Sequence, residues 1–349
     1  GLTIIDSDFA GGSVTGGPRG DAAGAGLYLH DNTVAAFQVS GTASVGNDIA
    51  GTGGLSKSGA GTLTLSGANT YTGGTLIRGG TLALSGDGSI MNSSGVSLSG
   101  SAMFDISQTA AGTSVKSLWG DAGSTVNLGT KTLTVDTASY NAYRGKISDF
   151  GGLTKTGSGL FDLFGTIAYS GATNVAGGTM RLVSGATLLN SSAINISNGA
   201  TFNTNTADNL SSTVAVNLDG DGSRFATSTD QQIGSLTGGS GTNVWLDPGV
   251  ILTTGLSNTN SVFSGNLGND GEGSLIKVGT GSFTLDGNND YTGTTTVRGG
   301  SLIVNGSTAA SSLTTVEAGA TLGGSGTVGN TVVDGTLSAG NSPGTLTIA

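Results

Sequence analysis

Residues 53–84 read GGLSKSGAGTLTLSGANTYTGGTLIRGGTLAL, and this stretch decides the fold. Within it Thr62-Leu63-Thr64-Leu65 alternates with period two, and Thr81-Leu82-Ala83-Leu84 does so again 19 residues later. Alternation of apolar with small or β-branched polar residues marks a strand buried on one face. Two such strands 19 residues apart suit one turn of a solenoid. Gly or Ser-Gly interrupts the chain almost every ten residues, which leaves almost no room for a helix. Each coil must change direction within a few residues, and glycine supplies the positive φ such corners require.

The stretch recurs. Residues 151–182 read GGLTKTGSGLFDLFGTIAYSGATNVAGGTMRL, and residues 273–304 read GSLIKVGTGSFTLDGNNDYTGTTTVRGGSLIV. Leu55, Leu153 and Leu275 correspond, as do Lys57, Lys155 and Lys277, then Gly59, Gly157 and Gly279, then Tyr71, Tyr169 and Tyr291. The pairs Gly79-Gly80, Gly177-Gly178 and Gly299-Gly300 close the copies. Met91-Asn92-Ser93-Ser94 also matches Leu189-Asn190-Ser191-Ser192, and Ser117-Leu118 matches Ser235-Leu236. The spacing between copies grows from 98 to 122, an excess of 24 residues carried mostly near 208–231. An excess of that size is one extra coil, which a solenoid absorbs because each turn touches only its neighbours.

These observations predict an all-β chain folded as one continuous β-helix over residues 1–349. Residues 1–52 form N-terminal coils, 53–150 a first long unit, 151–272 a second with one extra coil, and 273–349 a third, partial unit. Roughly 19 to 24 residues per coil give on the order of 15 to 18 coils, with strands stacked in parallel about 4.8 Å apart. Leu, Val, Ile and Phe ladders are expected inside, and Thr, Ser and Asn are expected to face water.

Composition narrows the function. Glycine supplies 66 residues and proline 3, without the period or proline content of collagen. Hydrophobic residues make up 35% and charged residues 10%, which is not the balance of a disordered chain. The net charge is −10 and the 12 basic residues are scattered singly, so nucleic-acid binding is not expected. Cysteine is absent, and a long stacked core has no need of disulfides. No apolar run approaches the ~20 residues that span a bilayer, so no membrane insertion by this segment is expected. No leader-like segment opens the chain at Gly1, which reads as a mature or excised piece.

The phrases GGLSKSGAGTLTLSGANTYTGGT and GGLTKTGSG resemble the passenger-associated transport repeat of bacterial autotransporters. Gly319 to Ile348 is similar to the late passenger region of AIDA-like autotransporters. The resemblance covers roughly residues 45–349. It implies a right-handed parallel β-helix, export through an outer-membrane barrel absent from this chain, and display at the cell surface or secretion. It implies no particular activity.

Candidate sites are sparse. The chain has one histidine, His30, and two glutamates, Glu272 and Glu317. A serine triad would need His30 as its base. Gly340-Asn341-Ser342-Pro343-Gly344 fits G-x-S-x-G on paper, without a helix to follow it. His30, in Leu27-Tyr28-Leu29-His30, is expected on the outward side of an early strand. Asp219-Gly220-Asp221-Gly222 and Asn269-Asp270-Gly271-Glu272 could offer oxygen ligands, yet neither completes a calcium loop and both read as polar turns. No catalytic residue, metal or cofactor is therefore expected. A carbohydrate-active β-helix enzyme stays open because Asp is plentiful. Arg19-Gly20-Asp21 matches a tripeptide that some adhesins present to receptors. Alternation places Trp245 outward, where its counterpart is Asn127, and Trp119 outward, where its counterpart is Thr237. Outward tryptophan suits contact with a sugar or a protein, or else lies flat on a neighbouring loop. The leading expectation is a non-enzymatic adhesin that meets a glycan or protein receptor on a host or other surface. Self-association, side by side or end to end, belongs to it, with Leu2-Thr3-Ile4-Ile5 and the tail from Gly344 to Ile348 as candidate edge strands. The alternative is an inert stalk.

Overall fold

A computed structural model describes residues 2–5 (backbone), 26–268, 271–340 and 345–349. Among them there is no helix, and the described strand pairs run parallel. The chain forms two compact units, residues 1–171 and 172–349. Each is a parallel β-helix, the fold that the alternation and the repeats imply.

In the first unit one face stacks Val34–Gln38, Gly54–Ser58, Thr75–Ile77, Val96–Leu98 and Leu118–Gly120. The next face stacks Thr42–Val45, Thr62–Leu65, Thr81–Gly86, Met103–Thr109 and Thr125–Asn127. Leu63 lies directly under Leu82, and Leu65 under Leu84, so the 19-residue spacing is one coil. All four side chains are fully buried. Each such leucine, removed from water, contributes about 1.5–3 kcal/mol. A third face begins with Leu27–Leu29 on Ile49–Gly51 and continues with Thr113–Val115, Thr132–Asp136 and Gly152–Thr156.

In the second unit Ala193 pairs with Ala215, and Ala215 pairs with Ser235. Two coil steps therefore separate the Asn190-Ser191 segment from Ser235. In the first unit Val96 pairs directly with Leu118, a single step after Asn92-Ser93. The excess near 208–231 is one inserted coil, absorbed without disturbing its neighbours.

The repeats do not stack on one face. In the first unit Gly54–Ser58 lies in the stack of Val34–Gln38, whereas its counterpart Gly152–Thr156 lies in the stack of Thr132–Asp136. In the second unit Thr179–Leu182 stacks with Thr201–Thr204, and its counterpart Ser301–Val304 stacks with Ser282–Leu285 on another face. Repeat length is not a whole number of coils, so equivalent residues step around the helix. Whatever recurs in the repeats must therefore serve the coil itself rather than one outer surface.

The interior is more polar than alternation suggests. Thr75, Ser93, Thr173, Thr295 and Ser311 are buried, and so are Lys57, Lys155 and Lys277. The physical reason is that coil corners leave backbone carbonyls inside, and each needs a donor.

Candidate functional site and the repeat interior

The recurrent lysine turns inward. Nζ of Lys57 donates to the carbonyls of Ser58 (2.9 Å), Gly59 (2.9 Å) and Gly79 (3.0 Å). Nζ of Lys277 donates to Val278 (2.7 Å), Gly279 (3.3 Å) and Gly299 (3.0 Å). An ammonium has three donors, and all three are used. Each lysine thus ties its own corner to the Gly-Gly corner one coil on. Lys155 likewise donates to Thr156 (2.6 Å) and Gly157 (2.8 Å). Burial pushes Lys57 below the ordinary lysine range and takes Lys155 and Lys277 down to about 8. For Lys155 the Asp136 carboxylate opposes that shift.

The recurrent tyrosine closes a second network. Tyr71 Oη lies 2.6 Å from Thr75 Oγ1, which lies 3.0 Å from Ser93 Oγ, and Ser93 donates to the Gly73 carbonyl at 2.8 Å. Tyr291, Thr295 and Ser311 repeat the chain at 2.6 and 2.9 Å. Thr173 and Ser191 make its last link at 2.9 Å. The Met-Asn-Ser-Ser and Leu-Asn-Ser-Ser match is explained here, since Ser93 and Ser191 occupy the same node.

Asn69 and Asn289 do a third task. Asn69 accepts from the Ile49 amide (2.9 Å) and donates to Gly67 and Ser89 (both 3.0 Å). Asn289 accepts from the Leu267 amide (3.1 Å) and donates to Gly287 and Ser307 (both 3.0 Å). Its side chain joins coils above and below where no strand is formed. The middle copy has Ile167 at this position, and there Thr166–Tyr169 is a strand.

Outside, a feature with the shape of a binding site lies on the first unit. An outward row climbs one face through Ala36, Ser56, Leu76, Ser97 and Trp119, each paired with the next. Beside it the corners Gly53-Gly54, Gly73-Gly74 and Ser94-Gly95 carry almost no side chains. A Cβ on Gly54 would stand 2.6 Å from the Gly74 carbonyl oxygen, so larger residues do not fit. The result is an open trough of about 750 Å³ running from Asn32 to Trp119, with Arg78 on its wall. Arg78 has no ion-pair partner among the described residues. A smaller trough of about 470 Å³ continues past Trp119 towards Tyr140. Trp119 is 39% exposed and Tyr140 48% exposed. Their rings meet edge to face, 5.8 Å apart at 80°.

Trp245 differs. It points outward between buried Val244 and Leu246, as alternation predicts, but it is only half-exposed. The Arg224 guanidinium lies 3.3 Å from its ring centroid. The ring is covered by a cation from the coil below, and it belongs to the second unit. Arg19, Gly20 and Asp21 lie outside the described residues. So do Asn269 and Asp270, and Asn341 to Gly344 of the G-x-S-x-G match. His30 is exposed at the end of Leu27–Leu29, 3.5 Å from Asp31. Asp219 ends the strand Ala215–Asp219, and Asp221 sits in the turn after it, whose Gly220 and Gly222 have φ of 78° and 77°. Among the described residues no three His, Asp or Glu side chains converge, and no helix is long and apolar enough to cross a membrane.

Residues 55–84, 153–182 and 275–304 match the family model described as the passenger-associated-transport-repeat. The chain carries three matches to that repeat. The recurrent Lys, Tyr and Gly-Gly positions fall within the matched residues. The segment is also 32% identical over 163 residues to the adhesin BmaC autotransporter of Brucella suis biovar 1 (strain 1330). That match takes in 46% of the segment and 4% of the relative's length. No solved structure matches it.

Proposed function

We propose that this segment is a non-enzymatic adhesive passenger, displayed at the bacterial surface through an outer-membrane barrel or released from it. The observation that carries the reading is the division of labour between inside and outside. The lysines and tyrosines that recur among the repeats are turned inward, where they hold coils together. Much of the outer surface is Gly, Ser, Thr and Asn, with scattered exposed apolar side chains, and it offers an aromatic-edged trough. A long, shallow polar face with a few aromatic anchors suits attachment. The similarity to a protein named as an adhesin supports the same reading. Self-association, side by side or end to end, belongs to the proposal.

The test is to fuse the segment to a heterologous outer-membrane barrel in a non-adherent strain. Cells displaying it should settle faster, clump, and attach to polysaccharide- or protein-coated surfaces more than cells displaying the barrel alone. Dispersed, unattached cells with the folded segment on their surface would remove the adhesive reading and leave the stalk. Release of sugars from a coated surface would instead favour a carbohydrate-active enzyme.

A further inference from the structure

We propose that the trough on the first unit, with Trp119 as its aromatic platform and Arg78 on its wall, binds a linear neutral polysaccharide. The proposal deepens the adhesive reading, rests on it for its setting, and names the ligand class of that trough.

Three features of the trough point to this ligand. Its length is the first. The row from Ala36 to Trp119 takes in five parallel strands, about 4.8 Å apart, hence about 19 Å of open channel. A shallow channel of that length, open along its side, accepts a segment of a polymer rather than enclosing a small molecule. Its floor is the second feature. Gly53, Gly54, Gly73, Gly74 and Gly95 bring no side chains into the trough, and Ser56, Ser97 and Ser117 add hydroxyls. The serine hydroxyls offer donors and acceptors, and the bare glycines leave a chain of hydroxyls room for close approach. Its end is the third. Trp119 presents exposed ring surface braced by Tyr140, and an aromatic face packs against the C–H face of a pyranose while its polar edge stays wet.

Charge selects among polymers. The chain carries a net charge of −10, whose field opposes an acidic polysaccharide. The cation on the trough wall is Arg78, which opposes a basic peptide. A guanidinium without an ion-pair partner still has five N–H donors for neutral hydroxyls. A neutral polyhydroxylated chain is the occupant left unopposed by both charges. Trp245 is excluded as an equivalent platform because Arg224 already covers its ring.

The test is affinity electrophoresis of the purified segment through gels holding hydroxyethylcellulose, dextran or alginate. Retardation is expected in at least one neutral gel and not in alginate. Trp119→Ala should weaken that binding about tenfold or more, as for an interface anchor. Trp245→Ala should leave it unchanged. Ser56→Trp, which fills the middle of the trough from the outer row without touching the core, should abolish it. This second variant decides the matter if Trp119→Ala lowers the melting temperature. Migration unaffected by both neutral polymers, retardation in alginate alone, or full binding by Ser56→Trp would each overturn the proposal. If displayed cells still adhere in any of those cases, the adhesive reading stands and only the ligand assignment falls.

Discussion

Gly80→Ala should destabilise the first unit by about 2–5 kcal/mol, whereas Gly79→Ala, one residue earlier, should be nearly silent. The two glycines close the first repeat side by side and read alike in the sequence. Gly80 has φ of +61°, and a Cβ there would lie 2.2 Å from the Gly61 carbonyl oxygen and 2.6 Å from that of Gly59. Both oxygens belong to the coil below, so neither can give way without breaking its ladder. At Gly79 the nearest atom to an added Cβ is the Gly59 oxygen at 3.5 Å, an ordinary contact. Urea unfolding of the two variants checks the contrast. Because coils depend on neighbours, hydrogen exchange should show the loss concentrated around residues 59–82. Equal effects of the two substitutions would show that the corner is not built as described.

Lys277→Met should cost about 2–3 kcal/mol, because it keeps the apolar stem and strips the donors from three inward carbonyls. A pH signature distinguishes this role from simple packing. Burial holds the folded Lys277 at about 8, below the ordinary 10.5. Between those values the unfolded chain binds a proton that the folded chain has released. Folding stability therefore rises with pH from about 8 until tyrosine ionisation in the unfolded chain sets in near 10. The parent should show that rise in its urea midpoint, and Lys277→Met should show less of it. Above about 10 the sign reverses in both proteins. Burial raises Tyr71, Tyr143 and Tyr291, so the unfolded chain loses protons first and stability falls. A variant as stable as the parent, with the same slope below pH 10, would refute the clip.

Much of this architecture is legible in the sequence. Thr62-Leu63-Thr64-Leu65 and its echo foretell both the strands and their stacking, because period two and a 19-residue step leave no other arrangement of those leucines. The inserted coil is legible from spacing alone. The direction of Trp119 and Trp245 follows from their buried neighbours. The lysines are harder to read. A charged side chain is ordinarily placed in water, yet in Leu55-Ser56-Lys57 the lysine is in phase with buried Leu55, and that phase is the signal. The task of Asn69 shows only when its partners at Ile49 and Ser89 are known, both 20 residues away. The contrast between Trp119 and Trp245 depends on Arg224 and Tyr140, and only the register brings them to the rings. The trough has a faint trace in Gly53-Gly54 and Gly73-Gly74, one coil apart, but its width is set by backbone approach that no local pattern states.

The central claim is that the repeat signature is an internal device and that contact with the outside is left to the outer face. Lysine acylation under native conditions, followed by mass spectrometry, tests it directly. Lys57 and Lys277 are 0% and 1% exposed, whereas Lys116 and Lys131 donate from exposed positions. Lys116 and Lys131 should be modified rapidly, and Lys57 and Lys277 only at the rate at which their coils open. Labelling of all four at one rate would place the repeat lysines on the surface and contradict the account.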